Sequence, residues 1–477
     1  MYLLLSAACV ACVLAVILTP LCRNLAAGRG WLDVPDPNRK LHTRPIPRVG
    51  GIPIALSYLG SFTLVLLCWH DSGHMIRDHL RLSWQLCPAA ALIFLTGLLD
   101  DLVGLRPWQK LVGQSCAAIA AFGAGVHLTR ISGVVLSPWL AVPATIVWLV
   151  GCSNAFNLID GIDGLAAGVG FVATLTTLMA ALLQQNLALA LATAPLAGAL
   201  LGFLRYNFNP ASVFLGDCGS LLIGFLLGCY GVLWSQKSAT VLGMTAPLMV
   251  LAIPLLDTAL AIVRRFLRRQ HIFEADRGHI HHRLLARGLT PRRVVLLLYG
   301  MCGIAAVLSL LQSVFHERLG GAILVIFCVG AWLGIQYLGY AEFIAAGRIL
   351  SSGGFRRHLT AQIQLTAFHD DLKAAATADQ CWNVLRRTYS HFGFNEIQFK
   401  FGDRIYSHTS NGHHVPNCWT LRIALSDRAY VNLSREFDTE APPIVTPFAD
   451  MIGTTLRPKI LALLPADRPS SSAMSAG

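Results

Sequence analysis

The sequence predicts an all-α polytopic membrane protein with about eleven transmembrane helices and a small C-terminal cytoplasmic α+β domain. Of its 477 residues, 55% are hydrophobic and 13% are charged, whereas a soluble globular protein carries about 25% charged residues. Apolar runs near the roughly 20 residues that cross a bilayer recur along the chain and stop near Tyr340. Residues 1–345 hold 37 of the 62 charged side chains, and the last 132 residues hold the other 25. This composition excludes a secreted enzyme, a disordered scaffold and a nucleic-acid binder.

The predicted spans are eleven apolar segments, several of them short or interrupted by Gly and Pro. They lie near 2–22, 50–70, 85–103, 110–127, 136–152, 164–184, 187–205, 213–234, 240–263, 293–314 and 320–341. Alternate loops between these spans carry 18 Lys and Arg residues on one side and 5 on the other. By the positive-inside rule, the richer side is cytoplasmic. An odd number of spans then places the C-terminus in the cytoplasm as well.

The last part of the chain predicts a soluble domain. We expect a transmembrane domain over 1–345, a soluble α+β domain over 346–464 and a disordered tail over 465–477. The predicted elements of the soluble domain are helices near 361–375 and 379–391, β-like runs at 396–401, 404–408, 419–425 and 428–434, and a final helix near 443–460. The stretch "CWNVLRRTYSHFGFNEIQFKF" faintly resembles the start of a GAF-type sensory domain. A binding or sensing role is expected, because no nucleophile–base pair is visible in this region.

The carboxylates carry the functional information, because each one is expensive inside a bilayer. Five of them come from three segments and fall at the cytoplasmic ends of predicted spans: Asp100, Asp101, Asp160, Asp163 and Asp217. Two amides and three histidines fall on the same side: Asn154, Asn157, His279, His281 and His282. A transporter would instead place isolated ionisable groups near the midplane, often at broken helices. This distribution predicts a shallow enzyme active site at the cytoplasmic membrane surface.

The spacing of these residues indicates their chemistry. Asp100 and Asp101 are adjacent, so on a helix they point about 100° apart and are expected to have two different roles. The polar residues from Asn154 to Asp163 repeat every three positions, which places them on one helical face. Hard oxygen ligands of this kind suit Mg²⁺ or Mn²⁺, which bind substrate phosphates as well as protein groups. The arginines and histidines of 264–293 supply the charges and forked donors that a diphosphate needs. Together these features predict phosphoryl transfer to or from a lipid.

Five motifs in this order resemble the polyprenyl-phosphate N-acetylhexosamine-1-phosphate transferases of glycosyltransferase family 4. Within that family they are similar to the bacterial undecaprenyl-phosphate GlcNAc-1-phosphate transferases. The motifs are "KLHTRPIPRVGG" (40–51), "GLLDD" (97–101), "NAFNLIDGIDGLAAG" (154–168), "FNPASVFLGDCGS" (208–220) and "ADRGHIHHRLLARG" (275–288). The resemblance covers nearly all of residues 1–345. It implies a multi-pass protein of the bacterial cytoplasmic (inner) membrane, with its active site facing the cytoplasm.

The resemblance also implies residue roles. Asp217 matches the Mg²⁺ ligand of the family, and Asn157 matches an amide that helps to hold the metal, with Mn²⁺ as an alternative ion. Asp100 and Asp101 match an acidic pair that serves the lipid phosphate and the metal site, and which of them acts as a base, if either does, is left open. The matches expected to bind substrate are Asp163 and Gly161 at the uracil, Lys110 near the diphosphate and Arg283 in the loop over the sugar phosphate. The further matches expected to be catalytic are Asp160, in the same nucleotide loop, and His279, His281 and His282, in the loop over the sugar phosphate.

The implied reaction transfers GlcNAc-1-phosphate from UDP-GlcNAc to undecaprenyl phosphate and releases UMP, which starts a cell-envelope polysaccharide. The alternative is the phospho-MurNAc-pentapeptide transferase of peptidoglycan synthesis, which typically carries "PTMGG" and an "HHHFE"-like loop. Here the equivalents are "IPRVGG" and "HIHHRLL", which favours the GlcNAc branch. The expected partners are UDP-GlcNAc, undecaprenyl phosphate and the lipid bilayer, and a homodimer is a possible assembly. A compact CDP-alcohol phosphotransferase motif is absent from the sequence.

Overall fold

The computed structural model describes residues 2–33, 44–68, 73–131, 134–236, 244–267, 278–315, 318–339, 354–410, 418–437 and 445–463. The chain separates into two compact units, Met1–Tyr340 and Ala341–Gly477. The domain boundaries predicted at 345 and 464 lie outside the described residues, as does the predicted disordered tail over 465–477, so these stay predictions.

The described part of the first unit is built almost entirely from helices. They are α1 Tyr2–Gly28, α2 Gly51–Cys68, α3 Gly73–Val103, α4 Pro107–Gly123, α5 Pro138–Ile159, α6 Leu165–Leu183, α7 Leu187–Asn207, α8 Gly216–Gln236, α9 Thr245–Val250, α10 Ala252–Leu267, α11 Ile280–Ala286, α12 Pro291–Phe315 and α13 Gly320–Leu338. Two short antiparallel strand pairs join them: β1 Leu32–Asp33 with β2 Ile46–Pro47, and β3 Arg130–Ile131 with β4 Val134–Val135.

Within the described residues, eight helices are long and apolar enough to cross a membrane: α1, α3 from Arg81, α5, α6, α7, α8, α12 and α13. The chain is therefore a mostly helical, multi-pass membrane protein, as predicted. The other three predicted spans also fall on helices, but α4 has 17 residues and the apolar stretch of α2 is the short segment Gly51–Leu64. The predicted span 240–263 is divided between α9 and α10 around Leu251. Pro254 contributes to this break, because it has no N–H to donate to the carbonyl four residues earlier. The count of eleven spans stays a prediction.

Helix α8 is the centre of the bundle, and 89% of its membrane-spanning stretch is buried. It packs against α2, α3, α5 and α6. Lipid tails are as apolar as side chains, so helices in a bilayer associate through close packing of small residues and interhelical hydrogen bonds. At Gly97 in α3, an added Cβ would lie 2.5 Å from the carbonyl oxygen of Asp217. This glycine therefore lets α3 approach the first turn of α8.

Buried hydroxyl groups also connect the helices. The Tyr58 hydroxyl of α2 lies 2.7 Å from the Tyr230 hydroxyl of α8 and donates to the Ala192 carbonyl of α7 at 3.1 Å. The Trp148 indole of α5 donates to the Gly228 carbonyl of α8 at 2.9 Å. A polar group inside a bilayer must find its partner within the protein, since no water is available there. These contacts fix α8 relative to its neighbours.

The second unit contains one antiparallel sheet and several helices. Its elements are α14 Gly354–Ala374, α15 Ala378–Thr388, β5 Glu396–Phe401, β6 Arg404–Thr409, β7 Cys418–Ser426, β8 Ala429–Glu436, α16 Val445–Met451 and α17 Arg457–Leu463. The strand order is β6-β5-β8-β7. Alternate residues of β5 and β8 pack against Phe368, Phe392 and Phe448 in the core. The elements overlap those predicted from the sequence, and the GAF-type assignment stays a prediction.

Replacing Gly97 with alanine is expected to destabilise the protein by about 1–3 kcal/mol, since the added methyl group forces α3 away from the α8 backbone. The midpoint of thermal unfolding in detergent measures the effect. Gly151→Ala in α5 is the matched control, because nothing lies within 4 Å of its added Cβ, and it should be neutral or slightly stabilising. Equal midpoints for the two variants would contradict the packing argument.

Candidate active site

One end of the helical bundle brings together polar residues from four helices. Asp100 and Asp101 lie near the end of α3, and Lys110 lies in the first turn of α4. Asn157 lies in the last turn of α5, and Asp217 lies in the first turn of α8. Asp160, Gly161 and Asp163 lie in the loop between α5 and α6. The folded bundle therefore brings these residues to the same end, as the sequence predicted.

The ammonium group of Lys110 is the meeting point of three oxygens. Its Nζ donates to Asp100 Oδ2 at 2.8 Å, to Asn157 Oδ1 at 3.3 Å and to Asp217 Oδ2. The Asn157 amide is oriented by its other end, because its Nδ2 donates to the Ser220 hydroxyl at 3.0 Å. Three helices besides α4 thus each direct one oxygen to the same point.

This donor set fits a hard divalent cation. Two carboxylates and one amide supply oxygen ligands, and Mg²⁺ typically takes only one or two carboxylates from the protein together with water and substrate phosphates. Among the residues that the structure describes, no group of three or more His, Cys, Asp or Glu side chains forms a metal site. The three oxygens on Lys110 include those of Asp217 and Asn157, which the sequence analysis proposed as the metal ligands.

Asp101 has a different environment from Asp100. Its two carboxylate oxygens accept hydrogen bonds from the backbone N–H groups of Asp217, at 2.9 Å, and Cys218, at 2.8 Å. Both N–H groups belong to the first turn of α8. The N–H groups of a first turn have no acceptor within their own helix, and this end of a helix carries a partial positive charge. Asp100 instead accepts from the Leu105 N–H at 2.7 Å and from Lys110. The two adjacent carboxylates therefore have separate partners.

Arg48 is a site residue that the sequence analysis missed. Its Nε lies 3.2 Å from Asp101 Oδ1, and a terminal nitrogen contacts Asp217 Oδ1. Burial opposes the charged form of Arg48, but the charges of Asp217, Asp101 and Asp160 outweigh it and raise the pKa of the guanidinium. Arg48 lies inside the first family motif, and that position was the only available signal, because no spacing links it to the carboxylates.

The loop between α5 and α6 is tied to two neighbouring segments. Asp163 Oδ2 accepts from the side-chain amide of Asn209 and from the Ala211 N–H, both at 3.0 Å. The Tyr299 hydroxyl of α12 donates to the Gly164 carbonyl at 2.5 Å. Burial raises the pKa of Asp160 well above its ordinary value, although the charge of Arg48 opposes this shift. The predicted contacts of Asp160, Gly161 and Asp163 with a nucleotide stay predictions.

Asp257 of α10, which the sequence analysis also missed, anchors the segment that carries His279, His281 and His282. This segment is called the histidine loop below. Its carboxylate is buried, lies 2.9 Å from His279 Nδ1 and accepts from the Ile280 N–H at 2.8 Å. A carboxylate inside a predicted span was itself a signal, because such a group requires a partner in the protein. Arg283 donates to the carbonyls of Leu338 and Gly339 at 3.1 and 3.0 Å, so part of its guanidinium binds the end of α13.

His281 packs beneath the loop between α5 and α6. It is 2% exposed, and its Nε2 has no hydrogen-bond partner among the described residues. A Cβ added at Gly161 would lie 2.6 Å from this nitrogen. Burial is the main cause, and the charge of His282 a smaller one, that lowers the pKa of His281 to about 3. The ring is therefore neutral at neutral pH. The catalytic roles proposed for His279, His281 and His282 stay predictions.

The chain was compared with known families and proteins. The model of glycosyl transferase family 4 matches residues 83–235. A probable undecaprenyl-phosphate N-acetylglucosaminyl 1-phosphate transferase of Bacillus subtilis is 37% identical over 289 residues, which are 60% of this chain and 78% of that protein. This chain belongs to glycosyltransferase family 4. The resemblance inferred from the motifs is thereby confirmed, and the chain is an enzyme of the polyprenyl-phosphate N-acetylhexosamine-1-phosphate transferase kind.

Other relatives in the family carry different names. A decaprenyl-phosphate N-acetylglucosaminephosphotransferase of Mycobacterium tuberculosis is 33% identical over 330 residues, covering 64% of this chain and 81% of that protein. A phospho-N-acetylmuramoyl-pentapeptide-transferase of Listeria monocytogenes is 30% identical over 342 residues, covering 66% of this chain and 99% of that protein. The family model spans α3 to α8 and so includes Asp100, Lys110, Asn157 and Asp217. Arg48 and the histidine loop lie outside the matched range.

Replacing Asp257 with alanine is expected to loosen the histidine loop, because the His279 ring and the Ile280 N–H lose their acceptor. Loss of a hydrogen-bond partner at a buried group costs about 1–3 kcal/mol. Hydrogen exchange at the amides of 279–287 should therefore become about 10-fold faster or more, while exchange in α8 stays unchanged. Asp257→Asn, which keeps one acceptor oxygen, is expected to have a smaller effect, and unchanged protection in both variants would contradict the anchoring role.

The stability of the folded protein is expected to fall as the pH is lowered from 6.5 toward 3, because of His281. In this window the unfolded chain binds a proton on His281 that the folded state excludes, since the pKa falls from 6.5 to about 3 on folding. Above pH 6.5 this loss is absent. His281→Gln does not titrate and should show a smaller drop in unfolding midpoint between pH 7.5 and 5. An identical drop in variant and parent protein would mean that His281 is accessible to protons when folded.

Proposed function

We propose that this protein transfers GlcNAc-1-phosphate from UDP-GlcNAc to undecaprenyl phosphate and releases UMP, to start a cell-envelope polysaccharide. The observation that carries the proposal is the cluster of three carboxylates, one amide and two cationic side chains at a single end of the bundle. Such a cluster is suited to phosphoryl transfer, which depends mainly on positioning and charge stabilisation. The Bacillus subtilis relative, with 37% identity, is named for this activity.

In the proposed reaction an oxygen of the lipid phosphate attacks the β-phosphorus of UDP-GlcNAc. A bond forms between that oxygen and the β-phosphorus, the bond to the bridging oxygen breaks, and UMP leaves with the electron pair. A phosphate monoester has a second pKa near 6 and is mostly dianionic at neutral pH, so a strong general base is not required. Lys110 and Arg48 supply positive charge beside the reacting phosphates.

The acidic pair is proposed to position rather than to remove protons. Asp101 uses both oxygens to hold the first turn of α8, which leaves it poorly placed as a base. Asp100 holds the Lys110 ammonium at 2.8 Å and thereby keeps this cation next to Asp217. Both carboxylates then act by fixing the charged groups that contact substrate.

Mg²⁺, or Mn²⁺, is proposed as the cofactor, with Asp217 and Asn157 as ligands. When bound, such an ion would neutralise the diphosphate and stabilise the departing UMP.

The excess of Lys and Arg on one side, 18 against 5, supports a site and C-terminus on the cytoplasmic face of the bacterial inner membrane.

The second candidate donor is UDP-MurNAc-pentapeptide. The Listeria monocytogenes relative carries that name and is matched over 99% of its length, at 30% identity. The higher identities to proteins named for GlcNAc transfer, 37% and 33%, favour UDP-GlcNAc. The choice of donor is therefore part of the experiment.

Membranes that contain the protein are expected to move label from radioactive UDP-GlcNAc into lipid, with undecaprenyl phosphate and Mg²⁺ supplied. EDTA should block transfer, and Asp217→Asn should lower it by about 100-fold or more, because it removes charge at the reacting phosphates. Asp403→Asn, an exposed position in the second unit, serves as the control and should retain activity. Transfer from UDP-MurNAc-pentapeptide alone would reject the proposed donor in favour of the second candidate.

A further inference from the structure

Arg48 is held in place by its backbone. The Phe214 N–H donates to the Pro47 carbonyl at 2.9 Å, and the Gly50 N–H donates to the Phe214 carbonyl at 2.9 Å. Arg48 and Phe214 thereby form a parallel bridge. Because Phe214 comes just before α8, these bonds fix the base of the Arg48 side chain beside the first turn of that helix.

The guanidinium group of Arg48 is held by two buried carboxylates, and its side chain is partly exposed. It contacts Asp101 and Asp217, whose side chains are 2% and 8% exposed, whereas the Arg48 side chain is 45% exposed. A guanidinium has five N–H donors in a rigid fork that suits phosphate oxygens. Asp101 and Asp217 use part of this fork, and the 45% exposure of the side chain leaves room for a further oxygen at the surface of the site.

Arg48 and Lys110 occupy different sides of Asp217. Lys110 contacts Asp217 Oδ2 together with the oxygens of Asp100 and Asn157, whereas Arg48 contacts Asp217 Oδ1. Asp101, the other anchor of Arg48, is not among the oxygens around Lys110.

We propose that Arg48 binds a phosphate oxygen of a substrate, with Asp101 holding its guanidinium in position at the N-terminus of α8. This proposal rests on the proposed function, because it assigns a residue to the phosphates of that reaction. The phosphate belongs either to the acceptor lipid or to the diphosphate of the sugar nucleotide. Both have the same chemistry, and the N-terminus of α8 favours an anion at this position in either case.

Direct binding measurements in EDTA test the proposal. Purified protein in detergent is titrated separately with undecaprenyl phosphate and with UDP-GlcNAc, and Arg48→Gln is compared with the parent protein. A lost hydrogen bond between charged groups is expected to weaken binding of one substrate by about 10- to 100-fold. A loss confined to undecaprenyl phosphate identifies the acceptor as the ligand, and a loss confined to UDP-GlcNAc identifies the donor.

Two further variants separate substrate binding from folding. Arg205→Gln, an exposed arginine at the end of α7 on the same side of the bundle, is the matched control and should bind both substrates normally. Arg48→Lys keeps the charge but loses the fork, so it should bind more weakly than the parent protein and more tightly than Arg48→Gln. This variant also provides the test if Arg48→Gln does not fold, which thermal unfolding would show.

The outcome separates this inference from the proposed function. Normal binding of both substrates by a folded Arg48→Gln protein overturns the role of Arg48, while transfer by the parent protein still supports the function. Arg48-dependent binding of undecaprenyl phosphate by a parent protein that transfers nothing from UDP-GlcNAc supports the role of Arg48 and rejects the proposed donor. Binding of neither substrate by the parent protein in EDTA rejects the role of Arg48, whereas the proposed function is judged separately, by transfer in the presence of Mg²⁺.

Discussion

The candidate site depends on the way in which Asp217 is held at the start of α8. One of its carboxylate oxygens contacts Arg48 and the other contacts Lys110, while its backbone N–H donates to Asp101. These contacts connect α8 to α3, to α4 and to the segment before α2. An ionised carboxylate at the edge of a bilayer is costly unless positive charge accompanies it. Compensating the negative charge of Asp217 therefore requires three parts of the chain to converge on it, and their convergence forms the site.

The helical bundle makes this convergence possible because α8 is central and closely packed. Gly97 allows α3 to approach the α8 backbone, and the Tyr58–Tyr230 contact fixes α2 against α8 inside the bundle. The end of α8 that carries Asp217 therefore has little freedom to move. Phosphoryl transfer benefits from such rigidity, since charged groups must already be in position when charge develops on the reacting phosphates.

The histidine loop is fixed by contacts with buried groups. Asp257 binds His279 and the backbone of the histidine loop, and His281 is kept neutral by burial beneath Gly161. One histidine of the loop is thus anchored by a carboxylate of α10, and another is an uncharged packing residue. His279 and His281, which are two positions apart in the histidine-rich motif, therefore have different environments in the folded protein.

The sequence by itself determined the membrane class, the positions of the helices and the family. Hydrophobic runs and contiguous motifs are local features, and they can be read without knowing which helices touch. Asp100, Asp101, Lys110, Asn157 and Asp217 were also predicted from the sequence as members of one site. Only the tertiary structure decided which partner each one has. Asp101 and Asp217 are 116 positions apart and Arg48 and Asp217 are 169 apart, so their contacts follow from helix packing, which leaves no periodic trace in the sequence. Arg48 and Asp257 were missed for this reason: their importance comes from the groups that the fold places beside them.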